Sequence, residues 1–283
     1  MIELRMIYDN VSKIMLPIMS LISFALSYVY YYLENSVIPL TLLIFSVCTM
    51  ISIMILTVID FYKTGKCATL KINNTTINIK FGDIFEENNN LKVIAFNEYF
   101  DTEVDDIIIS SSSLNGKFIK NKIPDDYILT FDAKITKDQE KNIYMENNER
   151  NKGKKVKYKL GTMHKHGNYF LLAFSRFNEK NEANLTNVEY VKCLMEMWGN
   201  LNSNYNQKEI DIPLLGSGIT RIPNKANITH QNLLEIMLYT LEISNLTFSK
   251  PSNINIILYS GDRKLYNLVK IKKEFNRGDK YVK

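Results

Sequence analysis

Hydrophobic positions follow two different regimes along the chain. Every residue from Ile14 to Leu33 and from Val37 to Ile59 is uncharged, giving runs of 20 and 23 residues separated only by Glu34-Asn35-Ser36. A helix rising ~1.5 Å per residue crosses a ~30 Å hydrocarbon core with about 20 residues, so each run is long enough to span a bilayer. The pattern predicts a transmembrane helical hairpin over residues 1–62, with spans at about 14–33 and 37–59. Pro17 and Pro39 sit where first helical turns would lie and no intrahelical N–H is needed. Tyr28, Tyr30, Tyr31 and Tyr32 cluster at one end of the first span, as an interfacial aromatic belt would.

Beyond residue 66 the apolar positions come in short groups. Residues 68–72 and 76–81 alternate apolar with polar, and Asn73-Asn74 between them predicts a hairpin. Leu91 to Phe96, apolar apart from Lys92, and Tyr169 to Phe174 are runs that predict buried strands. Residues 114–119 read as the opening of a helix. Thr186-x-x-Glu189 is a capping box, and the apolar stripe Val188, Val191, Leu194, Met195, Trp198 continues it as a helix. Ile210 to Leu215 is a strand, Leu233 to Leu246 a helix, and Ile254 to Leu258 a strand followed by a basic last helix. Alternating strands and helices predict an α/β domain over residues 63–283. Residues 137–159, charged and rich in asparagine, read as an exposed, mobile insertion.

Charge adds orientation. Arg5 and Lys13 precede the first span and Lys63 and Lys66 follow the second, whereas the connecting loop carries only Glu34. Positive flanks stay on the cytoplasmic side, so both termini and the α/β domain are expected in the cytoplasm, against the membrane. The net charge of +5 comes from 35 basic residues interspersed with 30 acidic ones, which leaves no nucleic-acid footprint. Three cysteines make no disulfide framework and suit a reducing compartment.

The chemistry concentrates at Ile210-Asp211-Ile212-Pro213-Leu214-Leu215-Gly216-Ser217-Gly218-Ile219-Thr220-Arg221. A short strand runs into a turn of small residues, where backbone N–H groups can converge on an anion and the Arg221 guanidinium can add a planar cation. Ligands of open α/β sheets bind at such carboxyl ends of strands. His164 and His166 lie two apart with no third ligand in sight, so no metal site is expected. No Ser/His/Asp or Cys/His arrangement is present, and no catalytic residue is assigned.

Taken in order, Gly82-Asp83-Ile84, the loop after Phe96, Ser113-Leu114-Asn115-Gly116 and Leu215-Gly216-Ser217-Gly218 resemble a macro domain, the ADP-ribose-binding fold. More narrowly, Asn97-Glu98-Tyr99-Phe100-Asp101-Thr102, Phe174-Ser175-Arg176-Phe177 and Pro213 to Arg221 are similar to the macro domain of Thoeris anti-phage effectors of the membrane-bound type. The resemblance covers the chain from about Leu70 onward. It implies a three-layer α/β/α fold with a mixed sheet. It also implies that Asp83, with the Ile84 backbone, reads the adenine amino group. Asn97, Ser113, Asn115 and Gly116 would form a first phosphate and ribose region, and Gly216, Ser217, Gly218, Ile219, Thr220 and Arg221 a second. Tyr259 would flank adenine or its ribose.

The resemblance implies an effector with no cofactor of its own. Its ligand would be an ADP-ribose derivative, best matched by ADP-ribose conjugated to histidine, made from NAD by a partner TIR-domain protein. Binding would drive homo-oligomers to disrupt membrane lipid, ending in cell death or growth arrest. The alternative is a membrane-tethered ADP-ribosyl hydrolase. Hydrolytic macro domains carry Asn-Ala-Ala-Asn and a triple glycine, where this chain has Asn97-Glu98-Tyr99-Phe100-Asp101 and Ser111-Ser112-Ser113. The departure favours binding over hydrolysis, with Asp101, Asp105 and Asp106 left as possible bases.

Overall fold

A computed structural model describes residues 17–18, 21–22, 25, 47–56, 58–59, 66–86, 89–218, 228–249 and 253–275. The chain divides into two units, Met1–Lys66 and Cys67–Lys283. In the first, residues 47–56 are helical, and Val47, Ile51, Met54, Ile55 and Leu56 expose their apolar side chains. Among the described residues no helix is long and apolar enough to cross a membrane. Most of the two predicted spans lies outside the described residues.

The second unit is built from ten strands and five α-helices among the described residues. The strands are β1 (Cys67–Ile72), β2 (Thr75–Phe81), β3 (Leu91–Asn97), β4 (Ile143–Glu146), β5 (Val156–Tyr158), β6 (Met163–His166), β7 (Tyr169–Phe177), β8 (Ala183–Asn184), β9 (Ile210–Pro213) and β10 (Asn253–Leu258). The helices are α1 (Leu114–Lys122), α2 (Ile128–Asp138), α3 (Asn187–Asn204), α4 (His230–Ile243) and α5 (Leu268–Phe275). The main sheet runs β1-β2-β10-β9-β3-β7-β6, with β8 paired to the end of β7. The pairs from β2 through β10, β9, β3 and β7 are parallel, while β1 and β6 close the two sides antiparallel. The sheet is mixed, as the resemblance implied.

Alternation along the central strands sends apolar side chains to both faces. Ile254, Ile256 and Leu258 of β10 join one core with Leu194 and Met197 of α3, Leu234 and Met237 of α4, and Ile271 of α5. Ile257 joins a second core with Ile94, Phe96, Phe118 of α1 and Phe131 of α2. Helices therefore cover both faces, which is why the inner strands are apolar throughout. Trp198, the chain's single tryptophan, is fully buried and donates from Nε1 to Thr240 Oγ1 at 3.0 Å, linking α3 to α4.

β9 is short and pairs with β3 at only two positions, Leu91↔Ile210 and Lys92↔Asp211. A polar row crosses the sheet at this level. Thr69 bonds Asn78, Asn78 bonds Asn255, Asn255 bonds Asp211, and Lys92 Nζ lies 3.4 Å from Asp211 Oδ2. A buried row of this kind is tolerable only when its members satisfy one another, and it fixes strand register. Above it β3 and β9 part, and the site opens between their ends.

The 137–159 segment departs from the sequence expectation. Much of it is exposed, but part of it folds back onto the domain. β4 and β5 form a separate antiparallel hairpin, and Arg150 and Lys154 between them turn inward. Arg150 places its guanidinium on the buried Asp101 carboxylate at 2.7 and 3.1 Å and stacks over the Tyr99 ring. Lys154 Nζ meets Asp132 at 2.6 Å. Charge density alone cannot separate a solvated lysine run from one whose members fold back onto buried acids.

Candidate functional site

A cleft of about 720 Å³ lies at the carboxyl ends of β2, β3, β7, β9 and β10, closed on one side by the start of α1. Its volume is that of a nucleotide-sized ligand. The sequence-predicted residues Asp83, Ile84, Asn97, Ser113, Asn115, Gly216, Ser217, Gly218 and Tyr259 all line it. Ile219, Thr220 and Arg221 lie outside the described residues.

Gly116 does not line the cleft. It belongs to α1, and a Cβ there would collide with the Ser110 carbonyl. Its glycine serves backbone packing beneath the first loop, which a sequence motif reads the same way as a ligand contact. Ser113 caps α1: its hydroxyl accepts from Gly116 N at 2.9 Å and donates to the Ser110 carbonyl at 2.7 Å. The cap holds the serine loop closed and leaves the positive end of the helix dipole beside the cleft. Asn115 is buried, and its Oδ1 has no hydrogen-bond partner.

The loop after β9 is built differently. Gly216 has φ +84°, a conformation in which any other residue is strained. Ser217 Oγ donates to the Leu214 carbonyl at 2.7 Å, and the buried Tyr190 hydroxyl donates to the Leu215 carbonyl at 3.0 Å. The small residues leave the backbone itself as the cleft wall. Asp83 stands at the end of β2, where Oδ1 accepts from Phe85 N at 2.9 Å and so fixes the turn. Tyr259 follows β10 and is 72% exposed, an aromatic face at the mouth rather than in the core. Asp83 and Tyr259 thus occupy one side of the cleft and the two loops the other.

The loop after β3 carries a different chemistry. Asn97 lines the cleft but is turned on its own chain: Oδ1 accepts from Tyr99 N at 3.0 Å and Asp101 N at 3.3 Å, and Nδ2 donates to Asp101. Asp101 accepts from Asn97, from two nitrogens of Arg150, and from Lys154 N at 2.8 Å. Four donors fill the acceptor positions of a carboxylate. Glu98 is fully buried between Arg176 at 3.1 Å and Lys157 at 3.3 Å. Asp105 and Asp106 do not line the cleft either. The Ile108 N–H holds the Asp105 carboxyl below the ordinary carboxylate range, and the Ser111 N–H does the same for Asp106. Both are turn caps and weak bases. The three aspartates that the sequence left as possible bases are thus bonded away from the cleft: Asp101 to Arg150 and Lys154, and Asp105 and Asp106 to backbone amides of their own turn.

The cleft also recruits residues that sequence reasoning missed. Lys117, one turn into α1, brings a cation, and Phe174 and Ser175 form part of the lining at the β7 end. Asp262 and Tyr266 come from the segment after β10. Tyr266 packs edge-on to Phe81 and beside His230, and burial pushes its phenol well above the usual range. The strand ends were readable as a site, so Ser175 had a positional signal; Tyr266, displaced from its strand by a 3-10 turn at Ser260–Leu265, had none.

A family model described as the macro domain of Thoeris protein ThsA matches residues 77–259. Thoeris protein ThsA of Bacillus amyloliquefaciens (strain Y2) is 44% identical over 211 residues, which span 74% of this chain and 70% of the relative. Among solved structures, the Oceanobacillus iheyensis macrodomain with ADP is similar with a TM-score of 0.48 and 13% identity, over 75% of this chain and 97% of that one. The same macrodomain with MES bound gives a TM-score of 0.49 at 13% identity, over 75% and 98%. By the family match and the identity to its relative, the chain belongs to the Thoeris ThsA family and carries that family's macro domain.

Proposed function

We propose that the cleft binds an ADP-ribose-class nucleotide as a signal, and that the chain is a Thoeris anti-phage effector rather than an enzyme. One observation carries this reading: a glycine loop held with its carbonyls turned onto Ser217 and Tyr190 shares a nucleotide-sized cleft with the start of α1. Convergent main-chain amides and a helix N-terminus suit a pyrophosphate. Asp83 at the far side suits an adenine amino group, which donates where a carboxylate accepts. Because Asp101, Asp105 and Asp106 are committed to ion pairs and turn caps, the hydrolase alternative lacks a placed base.

The preferred ligand is histidine-conjugated ADP-ribose produced from NAD by a partner TIR-domain protein. The two uncharged runs at 14–33 and 37–59 would anchor the chain in the inner membrane, with both termini cytoplasmic. The exposed apolar side chains of the 47–56 helix favour an apolar surrounding for that segment. Two helices cannot enclose a pore, so membrane disruption would require several protomers. The ligand would drive assembly only by binding the assembled state better than the resting one.

Calorimetry on the full chain with ADP-ribose and its histidine conjugate tests the reading. Tight binding with intact ligand after long incubation supports a sensor. Release of free ADP-ribose would transfer the chain to the hydrolase class, and no heat with either compound would overturn both. Removing residues 14–59 should abolish toxicity in cells; toxicity that survives would refute the membrane mechanism.

A further inference from the structure

Tyr190 lies outside the cleft, on the first turns of α3, yet its one polar atom is spent on the loop that forms the cleft wall. We infer that Tyr190 is a positioning residue for ligand phosphates, acting through the Leu215 peptide. This inference rests on the nucleotide-binding reading above.

In a trans peptide the carbonyl and the following N–H point in opposite directions. The Tyr190 hydroxyl takes the Leu215 carbonyl at 3.0 Å on the α3 side of the loop, which aims the Gly216 N–H the other way, and Gly216 lines the cleft. Ser217 Oγ occupies the Leu214 carbonyl, one peptide earlier. Without these donors a glycine peptide is free to flip and would present a carbonyl oxygen, which repels phosphate. Burial of the Leu214 and Leu215 side chains anchors the loop, but β9 ends at Pro213, so no strand ladder sets the orientation of the Leu215–Gly216 peptide.

Tyr190 is itself held firmly. It is 2% exposed, its ring packs edge-on to the cleft residue Phe174 at 5.8 Å between centroids, and burial raises its phenol so that it stays a protonated donor. The preceding residue, Glu189, completes the α3 capping box and bonds Arg176 Nε at 2.6 Å. Arg176 in turn reaches Glu98 at the end of β3. One turn of α3 thus ties together the ends of the two strands that part to make the cleft.

The test is Tyr190→Phe, which removes one oxygen and keeps the buried ring. With the full chain, dissociation constants for ADP are measured by calorimetry and for adenosine by ligand-observed NMR. ADP affinity is expected to fall about ten-fold, as for loss of a hydrogen bond that leaves a carbonyl unpaired, while adenosine, which has no phosphate, binds as before. Ser217→Ala, which leaves α3 untouched, should shift ADP in the same direction. A purely structural role would weaken both nucleotides alike, and that result, or unchanged ADP affinity in Tyr190→Phe, overturns the assignment. Failure of the unmodified chain to bind ADP would overturn the nucleotide reading and the assignment with it.

Discussion

The loop leaving β3 and the loop leaving β9 start from adjacent parallel strands and face the same cleft, yet they solve the problem of exposed backbone in opposite ways. After β3, Asn97, Glu98 and Asp101 are buried, and every one of them is tied to a side chain or an amide. After β9, residues 214–218 carry two leucines, two glycines and one serine, and the carbonyls of the first two are turned onto hydroxyls. The first loop is rigid because its charges are saturated. The second buries its two leucines and leaves glycine backbone and one serine facing the cleft. The two loops thus meet the same cleft with different surfaces: closed ion pairs on one side, backbone and small side chains on the other.

Breaking the saturated side should have the largest effect. Arg150→Ala leaves Asp101 buried without its ion pair, which typically destabilises by about 3–5 kcal/mol. Chemical denaturation would read this, and a change below about 1 kcal/mol would mean that the hairpin is not part of the fold's support. The other loop separates two glycines. Gly216→Val should lower ADP-ribose affinity at least about a hundred-fold, roughly 2.7 kcal/mol, and also lower the melting temperature, because its φ is +84°. Gly218→Val should lower affinity alone, since a Cβ there meets nothing within 4 Å. Equal melting losses in the two variants would contradict that distinction.

A smaller effect is expected across the cleft. Asp83→Ala should weaken adenine nucleotides by about 1–3 kcal/mol and leave pyrophosphate binding unchanged in the same titration. The smallest effect concerns pH and lies away from both loops. Burial holds the His164 imidazole below its ordinary 6.5, against the opposing pull of Asp138. The unfolded chain therefore takes up this proton first as pH falls, so the contribution is intact above about 6.5 and is lost below it. Thermal melts between pH 7.5 and 5.5 should show this slope, and His164→Phe should flatten it with ADP affinity untouched.

The sequence conveyed some of this directly and some of it not at all. The parallel core strands, the capped helix at Thr186 and the glycine loop were legible because apolar runs, caps and glycines carry their geometry locally. Gly116 has a packing reason that the sequence could not show, because a glycine required by the Ser110 carbonyl leaves the same trace as one required by a ligand. The role of 137–159 was illegible for a different reason. Arg150 finds Asp101 from 49 positions away, and no local period announces a pairing at that distance. Tyr190 was passed over because the stripe through Val188 and Val191 follows a partly exposed face, whereas the buried face runs through Tyr190, Cys193, Leu194, Met197 and Trp198.

The burial of Trp198 between α3 and α4 bears on how the protein can be watched in solution. With one indole in the whole chain and none lining the cleft, intrinsic tryptophan emission reports first on the hydrophobic interior. An unfolding curve recorded at that wavelength has a clean single source. A dye placed near Tyr259, at the mouth of the cleft, is the more direct optical probe of a ligand.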